Sequence, residues 1–300
     1  LYDDFTRDTG IQVNRIEAGA DELIARIQSE GESSPADLLI TVDAGRLWRA
    51  EQAGIFQAVD SAVLTERLPD NMRHPEGLWI GLSKRARVIV YNREAGLPTP
   101  LADYTDLADP THAGKVCIRS SSNIYNVSLM ASIVAHLGEA AAESWAEGVV
   151  RNFARTPQSN DTGQIRAVAS RECQIAVVNT YYLARLAASD DPADLAVAAA
   201  VGIVFPGQQG NGTHVNISGA GVVSTSPNRD NAIRFLEYLT SDRAQSLFAD
   251  GNNEYPAVPS VGASSKVAAL GEFKEDGLSA TELGVHQSTA IMVFDRAGWQ

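Results

Sequence analysis

The sequence has only two cysteines, Cys117 and Cys173, and no C-x-x-C pair. Two thiols are too few for a structural zinc site and leave either one disulfide or two inert core thiols. No apolar run approaches the roughly 20 residues a helix needs to cross a bilayer. The basic, apolar start of a signal peptide is missing too, so any export signal has been removed or was never included. Basic residues are scarce relative to acids, 24 Lys and Arg against 37 Asp and Glu, for a net charge of −13. Nucleic acid is thereby disfavoured as a partner, because its phosphates call for a basic footprint. The acidic excess serves solubility and mildly favours cations. Enzyme signatures are absent as well: His74, His112, His136, His214 and His286 show no ligand spacing, and there is no G-x-S-x-G elbow or P-loop. Gly219-Ala220-Gly221 lacks the third glycine of a dinucleotide fingerprint, and Cys173 has no histidine partner in sequence.

What remains is an ordinary globular composition, 44% hydrophobic and 20% charged over 300 residues. Single cores stop growing near about 250–300 residues, so two domains of about 150 are expected. Strands alternate with helices along the chain, which predicts an α/β fold with mostly parallel sheets. Helices are expected at Leu1–Thr9, from a cap at Asp21 to Gly31, at Ala44–Ala53, Ile124–Leu137, Ala140–Ala154, Thr162–Ser170 and through Ala188 after Asn179 or Thr180. Two more are expected at Pro227–Leu239, with proline in the first turn, and Asp242–Ala249, capped by Ser241. Strands are expected at Gln12–Ile16, Ala36–Val42, Arg87–Tyr91, Val116–Arg119, Gln174–Val178 and the apolar run Val197–Phe205. The polar run Ser120-Ser121-Ser122-Asn123 is a ready N-cap for the helix that follows it.

Tyrosine placement is the unusual feature. Two of the eight are adjacent, Tyr181 and Tyr182, directly after a buried strand in the first turn of a helix. Tyr125 holds the same kind of position after Ser120–Asn123. Ligands bind at the carboxyl ends of strands in open α/β sheets, and helix N-termini favour negative charge. A phenol of pKa about 10 is normally neutral, but a highly charged hard cation deprotonates its oxygen ligands, and three phenolates would neutralise Fe(III). A tyrosine pair alone is more often simple packing.

Further segments extend the signal over the whole chain. They are Ala20-Asp-Glu-Leu-Ile24, Ser34-Pro-Ala-Asp-Leu-Leu-Ile-Thr-Val-Asp43, Arg85-Ala-Arg-Val-Ile-Val-Tyr-Asn92, Ser120–Asn126, Asn179-Thr-Tyr-Tyr182, Asn253-Glu-Tyr-Pro256 and Asp295-Arg-Ala-Gly-Trp299. With them the chain resembles the ferric-binding periplasmic proteins of the cyanobacterial FutA and bacterial FbpA group, which serve ABC importers. The resemblance implies a two-lobed periplasmic-binding-protein fold of type II with a ligand cleft between the lobes. Lobe 1 would hold residues 1–85 and about 215–262, lobe 2 about 92–212 and about 263–300, with the hinge near 85–92 and 212–222. It implies Tyr125, Tyr181 and Tyr182 as Fe(III) ligands, and Arg85 and Arg185 lining the site. Ser121, Ser122 and Asn123 match the place where relatives hold a synergistic anion such as carbonate. A monomer in an oxidising periplasm, delivering iron to an inner-membrane ABC permease, also follows, and there a Cys117–Cys173 disulfide is expected.

Relatives also carry a first strand and a turn with a further ligand tyrosine. The expectation is that such a segment precedes Leu1, that Tyr2 does not replace it, and that residues 1–300 alone bind iron weakly or fold poorly. The competing reading keeps the fold but binds phosphate, sulfate or a polyamine through Ser120–Asn123 and Arg85; an enzyme on a similar scaffold lacks a nucleophile–base pair.

Overall fold

The run Ile80–Asn92 forms the longest strand of the computed structural model, which describes residues 1–158 and 160–300. The strands are β1 Leu38–Val42, β2 Ile80–Asn92, β3 Val116–Cys117, β4 Ile175–Asn179, β5 Val201–Val204, β6 Val215–Val222 and β7 Tyr255–Pro256. The chain divides into two units. The first holds Leu1–Lys84, Ile217–Ser264 and Ser279–Gly284; the second holds Arg85–Asn216, Ser265–Leu278 and Val285–Gln300.

In the first unit β1 pairs antiparallel with β6, Leu38 facing Val222, and β7 pairs antiparallel with β2 at Ser83 and Pro256. The helix Tyr2–Thr9 buries one residue, Phe5, whose ring lies 4.8 Å from Phe235 and 5.2 Å from Tyr238. Leu39, Leu47, Phe56, Leu82, Ala220 and Val222 are also buried.

The second unit carries the candidate site. Its strands are ordered β5-β2-β4-β3. β2 is antiparallel to β4, Arg87 facing Asn179, and to β5, Ile89 facing Val204; β3 and β4 are parallel. Alternate residues go to opposite faces. On one face Ile89, Val116, Ile175 and Val177 pack with Met130, Trp145 and Phe294; on the other Ala86, Val88, Val90, Ala176 and Val178 pack with Ile165, Leu183 and Leu186. Burial on both faces is why β4 reads as an unbroken apolar run. Each large aliphatic side chain buried this way contributes about 1.5–3 kcal/mol. Cys117 and Cys173 form a disulfide, Cα atoms 5.8 Å apart, on the second of these faces.

Several expectations need correction. The sheets are not mostly parallel: the ladders of β2 with β4 and β5, and of β1 with β6, are antiparallel. In the second unit β3, β4 and β5 do share one direction, and the opposed strand β2 lies between β4 and β5. Gln12–Ile16 is not a strand; despite its alternation it has no ladder partner among the described residues. Asp21 lies inside the helix Ala20–Glu30, whose N-cap is Gly19; Glu22 takes the backbone N–H of Gly19 at 3.3 Å, while Asp21 pairs with Arg49 at 2.8 Å. Val197–Phe205 is split between a helix, Pro192–Ala200, and β5. Proline in the first turn, the Asp191 cap and a run of alanines favour the helix over apolar strand character there. Pro227 lies outside its helix, which starts at Arg229 after the N-cap Asn228.

Candidate functional site

Two helix starts in the second unit carry the tyrosines. Before the helix Ile124–Leu137 the chain turns through Ser120–Asn123, and the Asn123 side-chain oxygen accepts the Tyr125 N–H at 3.2 Å. The second helix, Thr180–Ala187, follows β4 without a loop, so β4 delivers Tyr181 and Tyr182 directly to its first turn. Thr180 is held by accepting the Ala86 N–H from β2 at 3.3 Å.

The two starts bring the phenols together. The Tyr181 hydroxyl donates to that of Tyr125 at 3.4 Å. The Tyr181 and Tyr182 rings stack with centroids 4.3 Å apart. Tyr181 is 9% exposed, whereas Tyr125 and Tyr182 are half-buried. Burial, reinforced by the Tyr125 and Tyr182 phenols beside it, pushes the Tyr181 phenol well above the ordinary tyrosine value. A cation must therefore displace a firmly held proton there.

Three arginines surround the cluster. The Arg185 guanidinium lies 5.7 Å from the Tyr181 ring centroid and 5.8 Å from that of Tyr182. Arg85, 1% exposed, and Arg119 lie 5.9 and 5.3 Å from the Tyr125 ring. At these distances cations attract aromatic faces and would favour oxyanions over neutral phenols.

Behind the phenols is a buried polar network centred on Asp161, the first residue of the helix Asp161–Ala169. Its Oδ2 accepts the Asn179 N–H at 2.8 Å and the Arg87 guanidinium at 2.9 Å. Arg87 also donates to the side-chain oxygens of Asn179 at 3.1 Å and Asn126 at 2.6 Å. Asn126 in turn donates to the Arg119 and Ser120 carbonyls at 2.7 and 3.2 Å. Arg119 approaches Asp161 Oδ1 at 3.6 Å. One carboxylate between two guanidiniums leaves this corner net positive.

Tyr125, Tyr181, Tyr182, Arg85 and Arg185 are thus brought together. The proposed anion residues adjoin them but are partly engaged: Asn123 caps Tyr125, Ser122 shares a 2.9 Å hydroxyl contact with Ser120, and the Ser121 N–H donates to the Gln300 carbonyl at 3.1 Å. Sequence reasoning missed Arg87, Arg119, Asn126 and Asp161. The readable signal was Arg87 inside the apolar run Ala86–Tyr91, since a charge in a strand buried on both faces requires a buried partner.

Among the described residues no group of three His, Cys, Asp or Glu side chains is placed to hold a metal ion. The phenol cluster is a different donor set. Oxygens at right angles around a small hard cation, each about 2.0–2.1 Å from it, stand about 3 Å apart. The Tyr125–Tyr181 separation is within a small side-chain rotation of that.

The family described as bacterial extracellular solute-binding protein matches residues 33–273. The chain is 52% identical over 300 residues to iron uptake protein A1 of Synechocystis sp., covering 100% of this chain and 83% of that protein. It superposes with TM-score 0.97 and 54% identity on a Trichodesmium FutA (IdiA) in complex with iron and citrate, covering 100% and 95% of the two chains. Against apo FutA2 from Synechocystis the TM-score is 0.95 and the identity 52%, covering 100% and 96%.

Proposed function

This chain belongs to the family of bacterial extracellular solute-binding proteins, and from that premise we propose that it captures Fe(III) through the phenolates of Tyr125, Tyr181 and Tyr182. The observation that carries this reading is the 3.4 Å approach of the Tyr125 and Tyr181 hydroxyls beside the stacked ring of Tyr182. Packing alone does not require phenol oxygens to point at one another, whereas a shared trivalent ion does. Relatives named for iron uptake and ferric binding support the same cargo.

In this reading each phenol loses its proton as iron enters, and Arg85, Arg119 and Arg185 stabilise the negative oxygens without supplying ligands of their own. Any synergistic anion, carbonate for example, would be taken up by Ser121, Ser122 and Asn123, since capping engages only the acceptor oxygen of the Asn123 side chain and leaves its amide N–H donors. The protein works as a periplasmic monomer that hands iron to an ABC permease and does not turn over a substrate. The described residues contain no helix long and apolar enough to cross a membrane.

The test is optical. Ferric citrate added to colourless apoprotein is expected to produce a visible tyrosinate-to-iron charge-transfer band saturating at one iron per chain. A protein that takes up iron without colour, or takes up none, overturns the assignment.

A further inference from the structure

We propose that Asp161 is a positioning residue for iron capture, registering the helix start that carries Tyr125 against the one that carries Tyr181 and Tyr182. The inference rests on the reading of those tyrosines as the iron-binding groups. Nothing in the donor set itself calls for Asp161: its carboxylate is fully buried and accepts from the Arg87 guanidinium and the Asn179 N–H rather than from a phenol.

The geometry points to its role through an unbroken chain of contacts. Asp161 Oδ2 accepts the backbone N–H of Asn179, the residue on which the helix Thr180–Ala187 begins. The same oxygen accepts from Arg87 at 2.9 Å. The other arm of that guanidinium donates to Asn126 at 2.6 Å, and Asn126 adjoins Tyr125 in the first turn of its helix. Asn126 completes the clamp by donating to the carbonyls of Arg119 and Ser120, which lead into that helix. One carboxylate and one guanidinium therefore fix two helix starts that are otherwise far apart in sequence. The guanidinium is planar and rigid, so it transmits position as well as charge.

Asp161 is needed in this chain because Arg87 is 1% exposed and its bonds to Asn179 and Asn126 go to neutral oxygens. Without the carboxylate the buried guanidinium keeps only those neutral acceptors and the more distant influence of its surroundings. Its orientation then loosens, and with it the register between the two tyrosine-bearing turns. Effective capture of one ion by donors from both turns depends on that register.

A double-mutant cycle in the full chain separates positioning from general stability. Fe(III) affinity is measured by titrating ferric citrate and following the charge-transfer band for the wild type, Tyr125→Phe, Asp161→Asn and the double variant. Tyr125→Phe is expected to weaken the wild type by at least about tenfold, a loss of roughly 1.4 kcal/mol. In the Asp161→Asn background the same change is expected to cost less than about threefold, because Tyr125 no longer shares the ion effectively. A Tyr125→Phe penalty that stays the same in both backgrounds, or an Asp161→Asn affinity equal to wild type, overturns the proposal. Asn126→Ala breaks the far end of the same chain without removing a charge, and the cycle repeated on it must show the same shrinkage; this arm decides if Asp161→Asn does not fold. Absence of colour in the wild type would instead refute the tyrosine assignment, so the two failures are distinguishable.

Discussion

The hydroxyls of Tyr125 and Tyr181 lie 3.4 Å apart although 56 residues separate them in the chain. Each belongs to the first turn of a helix, and each helix start is fixed by bonds that do not involve the phenols. The backbone at both helix starts is therefore fixed independently of any ligand, so an ion bound by these phenols would order little more than their side chains.

Tyr181→Phe and Tyr182→Phe each remove one oxygen and leave the ring in place. Each is expected to lower Fe(III) affinity by more than about tenfold and to bleach the charge-transfer band. Thermal stability should change by less than about 1 kcal/mol, because a 3.4 Å hydroxyl contact is a weak bond. Equal colour in either variant would remove that residue from the donor set.

Iron uptake should release protons. Burial and the neighbouring phenols keep the Tyr181 hydroxyl protonated well above the ordinary tyrosine range, so a metal must displace that proton at neutral pH. Affinity is expected to fall as pH falls, by about tenfold per pH unit for each proton released. Proton release measured in weakly buffered solution checks this, and uptake without release would contradict phenolate binding. For the metal-free protein the sign is opposite at the alkaline end. A raised folded-state value stabilises the protein fully below about pH 10 and is lost as pH rises beyond it.

His214 gives the fold an acid limit of its own. It is 1% exposed, and its Nε2 has no hydrogen-bond partner among the described residues. Burial pulls its pKa down from 6.5 to about 4, helped by Arg87, Arg85 and His136 and opposed by Asp276. A depressed value means that the unfolded chain binds the proton first, so this stability is present above pH 6.5 and lost as pH falls toward about 4. The loss is up to about 3 kcal/mol. Urea unfolding across that window should show it, and His214→Gln should remove that part of the pH slope.

The Cys117–Cys173 disulfide closes a segment of 56 residues that includes Tyr125. In the chain-entropy model its loss costs about 4 kcal/mol. The Cys117→Ser, Cys173→Ser double variant should melt at lower temperature than the oxidised wild type. The same melting temperature for both would mean that the bond adds no stability.

The placement of the three tyrosines at helix starts is legible in the sequence because strand ends and helix caps leave local marks. Asn123 before Tyr125 and the apolar run before Tyr181 are both contiguous with the tyrosines they position. Asp161 and Arg87 left weaker marks, since their partners are distant in sequence and a lone charge is normally read as solvated. Asn179 shows the limit within a single residue. As a cap candidate it does occupy the N-cap, yet its side chain makes no cap bond and instead accepts from Arg87, a role fixed only by the pairing of β2 with β4. Strand direction was also out of reach, because an apolar run buried on both faces reads the same whether its neighbours run with it or against it.

Anomalous scattering at the iron edge from crystals loaded with Fe(III) tests the central claim most directly. One peak within about 2 Å of the phenol oxygens of Tyr125, Tyr181 and Tyr182 is the predicted result. A peak elsewhere, or those oxygens still bonded only to one another in an iron-loaded crystal, would contradict it.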